Sequence, residues 1–523
     1  MFGLELKRGG AILCLFSFSC ASPGASQGST GAEGQDDGPA ESEASTGEPE
    51  PDPDRATVTH SFGSLQLGPF EETQPCVSWT LDNEEPVYIN AVTLANQGSW
   101  HHSNWFVVPE AMFPGEDGFW NCEDRGFQEI TAALSGTVLF AQSTQSWVEV
   151  QQLNEGVVVK APARHKVIGA THALNLAPHE KETELRMSLD IIHPKLVETV
   201  LTTLRLNYGD LQIPPQQQSR FSSSCNLDER FQVTLGQSLD MKIHWVLPHY
   251  HYLGNFFELA IDGGPNDGQV IYQLQGFNGD ANGKAFAQPV DLAGAQGVSF
   301  TCGYDNDTDQ EVGFGIGDQE MCVALVLADS QMLLDANVPS GTQLIEEVDG
   351  TAYFEGDCSV LGLPKNAAQG LPKSSEVAGE LYVPPSNADD MGLPPVPECE
   401  DTPAGASAEI DATLTSIRDN VLVPTCTFSS CHGEQSAVAG LDLESATLRD
   451  ELVNHQVFAE TQKPLVDPGD ADNSWLMDLL AKCEPVDEGG TPRSHMPRNA
   501  PVLLEPGLVA AVRDWINAGA LDD

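Results

Sequence analysis

A change of period along the chain constrains its folding most. From Thr57 to about Arg205, segments such as PVYINAVTLA, GTVLFA and WVEVQQL alternate or run with β-branched and aromatic residues, broken by Gly, Pro and Asn. After the polar break LQIPPQQQSRFSSS the pattern resumes from about Cys225 to Cys358, in FQVTLG, MKIHWVL, FFELAI, QVIYQL and CVALVLA. Towards the end the spacing turns helical, in ATLTSIRDNVLV, SWLMDLLAK and PGLVAAVRDWINAG, with Gly519 as a C-terminal stop. A chain of 523 residues exceeds what one core can hold. The pattern predicts a multidomain protein: two tandem antiparallel β-sandwich, jelly-roll-like domains over 57–205 and 206–360, a Pro-rich extended linker over 361–408, and a small all-α domain over 409–523.

The N-terminal residues carry export signals. Lys7 and Arg8 precede a short apolar run from Ala11 to Phe18, too short to span a bilayer as a mature helix. The following S-F-S-C-A-S resembles a bacterial lipoprotein signal over 1–20, with Cys20 as the lipidated first residue of the mature protein. Ser17 stands where such signals usually have Leu, so cleavage as an ordinary secreted protein stays open. Either route leads out of the cytoplasm, to a bacterial periplasm, outer membrane or cell surface. Residues 21–56 form a disordered acidic tether: positions 21–55 hold nine carboxylates and no aromatic residue, too little apolar surface to offset ordering. No later apolar run reaches the roughly 18 residues of a membrane helix, so the only membrane contact expected is a lipid on Cys20. With 77 acidic against 24 basic residues and a net charge of −53, the chain repels phosphate backbones, which excludes nucleic acid as a partner.

Against this background certain side chains stand out. VLPHYHYLGNFFELAI carries His249 and His251, two apart, which on a strand share one face. His101 and His102 are adjacent in GSWHHSNWFVVPE, and adjacent residues of a strand face opposite ways unless the backbone is locally distorted. His172 lies in GATHALNL and Met321 in GFGIGDQEMCVALVLA. Imidazole suits copper in either oxidation state and a thioether favours copper(I), so two His and one Met make a site able to shuttle between the two, for which zinc has no use.

These motifs carry a resemblance to the copper type II monooxygenases, the family of peptidylglycine α-hydroxylating and dopamine β-monooxygenases. It covers about residues 57–360, with the motifs in the family's order: Cys76, HH at 101 and 102, FWNCED at 119–124, His172, HYHYLG at 249–254 and GDQEMC at 317–322. It implies that His101, His102 and His172 hold an electron-transfer copper, and that His249, His251 and Met321 hold the catalytic, oxygen-binding copper. It also implies disulfides Cys76–Cys122, Cys302–Cys322 and Cys225–Cys358. The implied reaction inserts one atom of dioxygen into a C–H bond and reduces the other to water, with two electrons from ascorbate or another external donor. Where peptide-specific members carry an arginine two residues before H-x-H, this chain has Leu247, which disfavours a peptidylglycine substrate.

In the last domain, VLVPTCTFSSCHGEQ places Cys426, Cys431 and His432 as C-x4-C-H, followed by Met496 in SHMPRNAP. The unit resembles a small exported cytochrome c, in which Cys426 and Cys431 attach haem c through thioethers, His432 is the proximal ligand and Met496 the distal one. The usual spacing is C-x-x-C-H, and His495 is a rival ligand. Setting aside Cys14, Cys20 and the two haem cysteines pairs Cys399 with Cys483; alternatively Cys426 pairs with Cys431 or Cys483 in a stapled helical domain without iron. The expected function is therefore an exported copper monooxygenase fed by ascorbate, by a redox protein or by its own cytochrome c domain, on an unidentified small-molecule or peptide substrate. The alternatives are a non-catalytic copper- and haem-binding surface protein for electron transfer or metal storage, and a structural surface module with vestigial sites.

Overall fold

The computed structural model describes residues 52–142, 147–175, 179–251, 253–275, 283–306, 310–315, 319–388, 399–428, 431–433, 440–455, 463–487, 490, 493–497, 500 and 502–523. The signal segment 1–20, with Cys14 and Cys20, and the acidic tether up to residue 51 lie outside the described residues.

The first β unit is a sandwich of two six-stranded sheets. One runs in the order Arg55–Leu67, Lys181–Ile192, Val87–Asn96, Val157–Ala161, Thr199–Val200, with Val148–Gln152 added to Val87–Asn96. The other runs Gly118–Asn121, Pro75–Thr80, His165–Leu174, Trp100–Pro109, Thr137–Gln142, with Glu72–Thr73 added to His165–Leu174. Inward residues of both, among them Val77, Trp79, Ile89, Trp105, Val167 and Met187, form one apolar core.

In the second β unit one sheet runs Lys284–Asp291, Met241–His249, Val323–Ser330, Thr202–Tyr208, Met332–Val338, Ser359–Pro364. The other runs Val270–Gln275, Gly254–Asp262, Gly297–Asn306, Gln217–Asn226, Thr351–Glu355, Gln343–Val348. Strand Thr202–Tyr208 already belongs here, so the chain crosses between units slightly before the expected boundary at 205. The sheets are not wholly antiparallel: Thr199–Val200 with Val157–Ala161, Thr202–Tyr208 with Met332–Val338, and Gln217–Asn226 with Thr351–Glu355 are parallel. One segment read as a strand is helical. FQVTLG is the end of a helix Leu227–Leu235, because the Asn226 side chain accepts the Glu229 N–H at its start and Gly236 turns left-handed at its end.

The two sandwiches share apolar surface. Trp245, Leu247 and Leu327 of the second unit are buried in the core cluster of the first. Because side chains alternate, Trp245, Leu247 and His249 leave strand Met241–His249 on one side, so burying the first two aims the third at the first unit.

The segment expected as a linker over 361–408 begins inside a strand, and its described part up to residue 388 is docked. Lys160 donates to the Gly370 carbonyl, Tyr88 donates to Glu376 at 2.5 Å, Tyr382 donates to the Asp82 carbonyl, and Asn387 bonds both backbone groups of Ser61. All four partners lie in the first sandwich, so this stretch straps the second unit onto it.

From 409 on, the described residues include the helices Leu414–Ile417, Arg418–Leu422, Val423–Cys426, Leu448–Asn454, Trp475–Ala481 and Pro506–Asn517, joined by turns and irregular segments around a core containing Val421, Leu452, Trp475, Val512 and Trp515. Disulfides join Cys76–Cys122, Cys225–Cys358, Cys302–Cys322 and Cys399–Cys483, and four such bridges fit a protein of an oxidising, exported compartment. Neither Cys426 nor Cys431 is in a disulfide. Among the described residues no helix is long and apolar enough to cross a membrane.

Candidate metal centre

The adjacent histidines sit on strand Trp100–Pro109, beside the strand that carries His172. His172 pairs with His102, but Ala173 pairs with Trp100, which leaves His101 as the extra residue of a bulge. A bulge rotates one residue out of the alternation, and both rings now face His172. The three ring centroids are mutually 5.0 Å apart, and one ring nitrogen from each lies within 4.8 Å of the others.

The His172 ring is oriented from behind. Its Nε2 lies 2.8 Å from Glu72 Oε1, an acceptor, and in the neutral ring that N–H leaves Nδ1 as the lone-pair nitrogen. That Nδ1 is buried and has no hydrogen-bond partner. A buried, orphaned acceptor facing two further imidazoles fits a metal ion. Burial, with the neighbouring imidazoles adding to it, holds His101 well below its usual range and His102 down to about 3, so both rings are neutral, the form that ligates metal.

His249 ends its strand, and its ring lies 6.4 Å from that of His102 and 5.2 Å from that of His251. His251 lies past the strand end, so strand alternation does not hold it, contrary to expectation. Its ring Nδ1 is 2.6 Å from the Gln319 carbonyl, and its backbone N–H donates to Glu320 Oε2 at 2.7 Å. The turn that follows needs Gly254, since a Cβ there would stand 1.9 Å from the Tyr250 ring. Burial lowers both His249 and His251, and for His249 the rings of His251 and His102 lower it further.

Met321 reaches this group through its backbone. Its N–H donates to the same Glu320 Oε2 at 3.1 Å, its carbonyl accepts from Tyr304 Oη at 2.8 Å, and Cys322 beside it is bridged to Cys302. The structure thus joins five imidazoles in one run, with the Met321 backbone tied to His251. Glu72 and Glu320 were not singled out from sequence. Glu320 stands inside GDQEMC, yet only a fold shows that two of its three partners are backbone amides about 70 residues away.

In the C-terminal unit, the His432 N–H donates to the Cys426 carbonyl and the Cys431 N–H to the Phe428 carbonyl. Cys426 and Met496 pack against the same apolar core, and burial pushes the Cys426 thiol up to about 11. His495 Nδ1 is buried and without a hydrogen-bond partner. His179 lies on the surface with Nδ1 3.8 Å from Glu505.

No family model and no curated protein matches the chain. Among solved structures it is similar to a protein from Parabacteroides distasonis ATCC 8503, at 11% identity over 54% of this chain and 91% of that one, with a TM-score of 0.16. It is also similar to the infectious bursal virus protein of T=1 particles, at 9% identity over 54% of this chain and 71% of that one, with a TM-score of 0.14. At TM-scores this low neither likeness bears on fold or function.

Proposed function

We propose that this chain is an exported copper-dependent monooxygenase resembling the copper type II family, with a C-terminal domain that hands it electrons. The observation that carries the reading is the run of five imidazoles across the junction of the two sandwiches, containing a buried His172 Nδ1 with no protein partner. His101, His102 and His172 would hold one copper, and His249, His251 and Met321 the other. When bound, the coppers supply the one-electron steps by which a substrate C–H, dioxygen, two electrons and two protons become C–OH and water.

The chain's own residues do the rest. Glu72 holds the His172 ring with Nδ1 inward, and the apolar contact of Trp245 and Leu247 keeps the two histidine groups facing each other. Leu247 is 4% exposed within that contact, so no group there reads a peptide carboxylate, which supports a substrate other than peptidylglycine. Cys426 and Cys431, outside any disulfide, would attach a haem c, and His432 and Met496 would hold its iron, with His495 as the rival. Such a tethered donor has a high effective concentration.

Copper quantification with oxygen uptake tests the reading. The expected result is two coppers per chain and ascorbate-supported uptake that rises with substrate. Two coppers without substrate-dependent uptake would leave a binding or electron-relay protein, and no copper would refute the centre. A Soret band after expression in a host that matures c-type cytochromes tests the haem separately.

A further inference from the structure

We propose that Glu320 is the positioning residue that makes His251 and Met321 one site; the inference rests on the copper reading above. Glu320 is 0% exposed. Its Oε2 accepts the N–H groups of His251 at 2.7 Å and Met321 at 3.1 Å, and its Oε1 accepts that of Leu253 at 2.7 Å. Among the described residues no cationic side chain pairs with it, so backbone amides supply its compensation.

Geometry assigns this group a task that the fold alone does not require. His251 has left its strand, and Met321 lies outside the ladder of strand Val323–Ser330, so sheet register fixes neither ligand. Both amides instead converge on one oxygen. The residue before Glu320 holds the His251 ring through its carbonyl, and the residue after Met321 is tied down by a disulfide. The segment 319–322 therefore sets the ring and backbone of one ligand and the backbone of the other. Burial pushes the Glu320 carboxyl up to about 8 against the pull of its three N–H bonds, and what the role needs is two oxygens: three N–H donors converge there, and a carboxamide offers one acceptor oxygen while turning its NH₂ toward a buried N–H.

The test compares wild type, Glu320→Gln, Glu320→Asp and Met321→Leu, loaded anaerobically with copper(I). Copper per chain is measured together with X-ray absorption, which detects a sulfur neighbour of the metal, and with melting of the metal-free protein. Wild type should show two coppers and a sulfur shell, and Met321→Leu should lose the shell. Glu320→Gln should keep the copper of the His101 cage, lose the sulfur shell and bind its second copper about 10- to 100-fold more weakly, with Glu320→Asp in between. A Glu320→Gln protein with the wild-type shell and affinity overturns the inference while leaving the copper reading intact. If that variant does not fold, the same result from Glu320→Asp, which keeps both oxygens one methylene shorter, overturns it. A wild type without the shell overturns the copper reading and this inference with it.

Discussion

The two histidine groups differ in what holds them. His101, His102 and His172 stand on two neighbouring strands of one sheet, so ladder hydrogen bonds and one bulge fix their spacing before any metal arrives. His249, His251 and Met321 lie at or beyond strand ends, and a buried carboxylate, a carbonyl and a disulfide gather them. A site built on a ladder is as rigid as its sheet, whereas one gathered by loops is as rigid as its clamps. In the proposed chemistry the first group passes an electron and the second must admit a substrate and dioxygen. The rigid scaffold thus falls to the relay and the adjustable one to the reacting centre.

The largest effect should come from removing a ladder-built ligand. His172→Ala should take copper from two per chain to one, leaving the sulfur shell of the other site unchanged in X-ray absorption. If both coppers vanish together, the groups are one cooperative site and the contrast fails.

A second prediction concerns what keeps the groups facing each other. The side chains of Lys160, in the first sandwich, and Glu376, in the strap that crosses it, are 2% and 9% exposed and 3.6 Å apart. Glu376→Gln leaves the ammonium buried without its charge partner, which should cost about 3 kcal/mol in urea unfolding. Burial pushes the Glu376 carboxyl up, but bonds from Tyr88 and the Lys373 N–H, with the Lys160 charge, outweigh it and hold it below its ordinary value of 4.5. Its contribution is therefore present above pH 4.5 and lost as pH falls through the lower native value; the variant should lack that acid-side loss. Equal unfolding curves at both ends of that window would show that the apolar contact alone holds the sandwiches together.

Acid should act on the ladder-built side through its core. His60 is buried and stacked on Trp79 at 4.4 Å, and burial lowers it to about 4, partly offset by Asp117. The unfolded chain binds the proton more readily, so this group's share of stability is present above pH 6.5 and lost as pH falls to about 4. The shift corresponds to about 3 kcal/mol over that range, at 1.36 kcal/mol per unit. In metal-free protein, His60→Phe should flatten that slope relative to wild type. An unchanged slope would assign the acid sensitivity elsewhere.

The features legible in the sequence were those governed by local periodicity. Alternation in PVYINAVTLA and FFELAI marked strands, and the HH pair implied a distortion that the bulge at His101 supplies. FQVTLG deceived because its β-branched and aromatic residues alternate, while the helix is decided by a cap at Asn226 and a stop at Gly236. The prolines after 361 suggested a free linker, but Tyr382, Ser386 and Asn387 anchor to carbonyls and amides of strands some 300 residues earlier. Such partners are fixed by tertiary placement, which no local pattern encodes. Glu72 and Glu320 were hidden for the same reason in a chain with 77 acidic residues.

Glu72 also gives the finest test of the contrast. It is a clamp resting on a ladder-built ligand, 100 residues away in sequence from the ring it orients. Because the sheet already places His172, Glu72 has only to select the tautomer with Nδ1 open, so its loss should matter less than loss of Glu320. Glu72→Gln still offers an acceptor oxygen but removes the charge, and should weaken copper at the first group by about tenfold, read by competition with a copper(I) chelator, with melting unchanged. A loss as large as that of Glu320→Gln would mean that the ladder does not preorganise the site, and that both groups depend equally on a carboxylate behind the ligand.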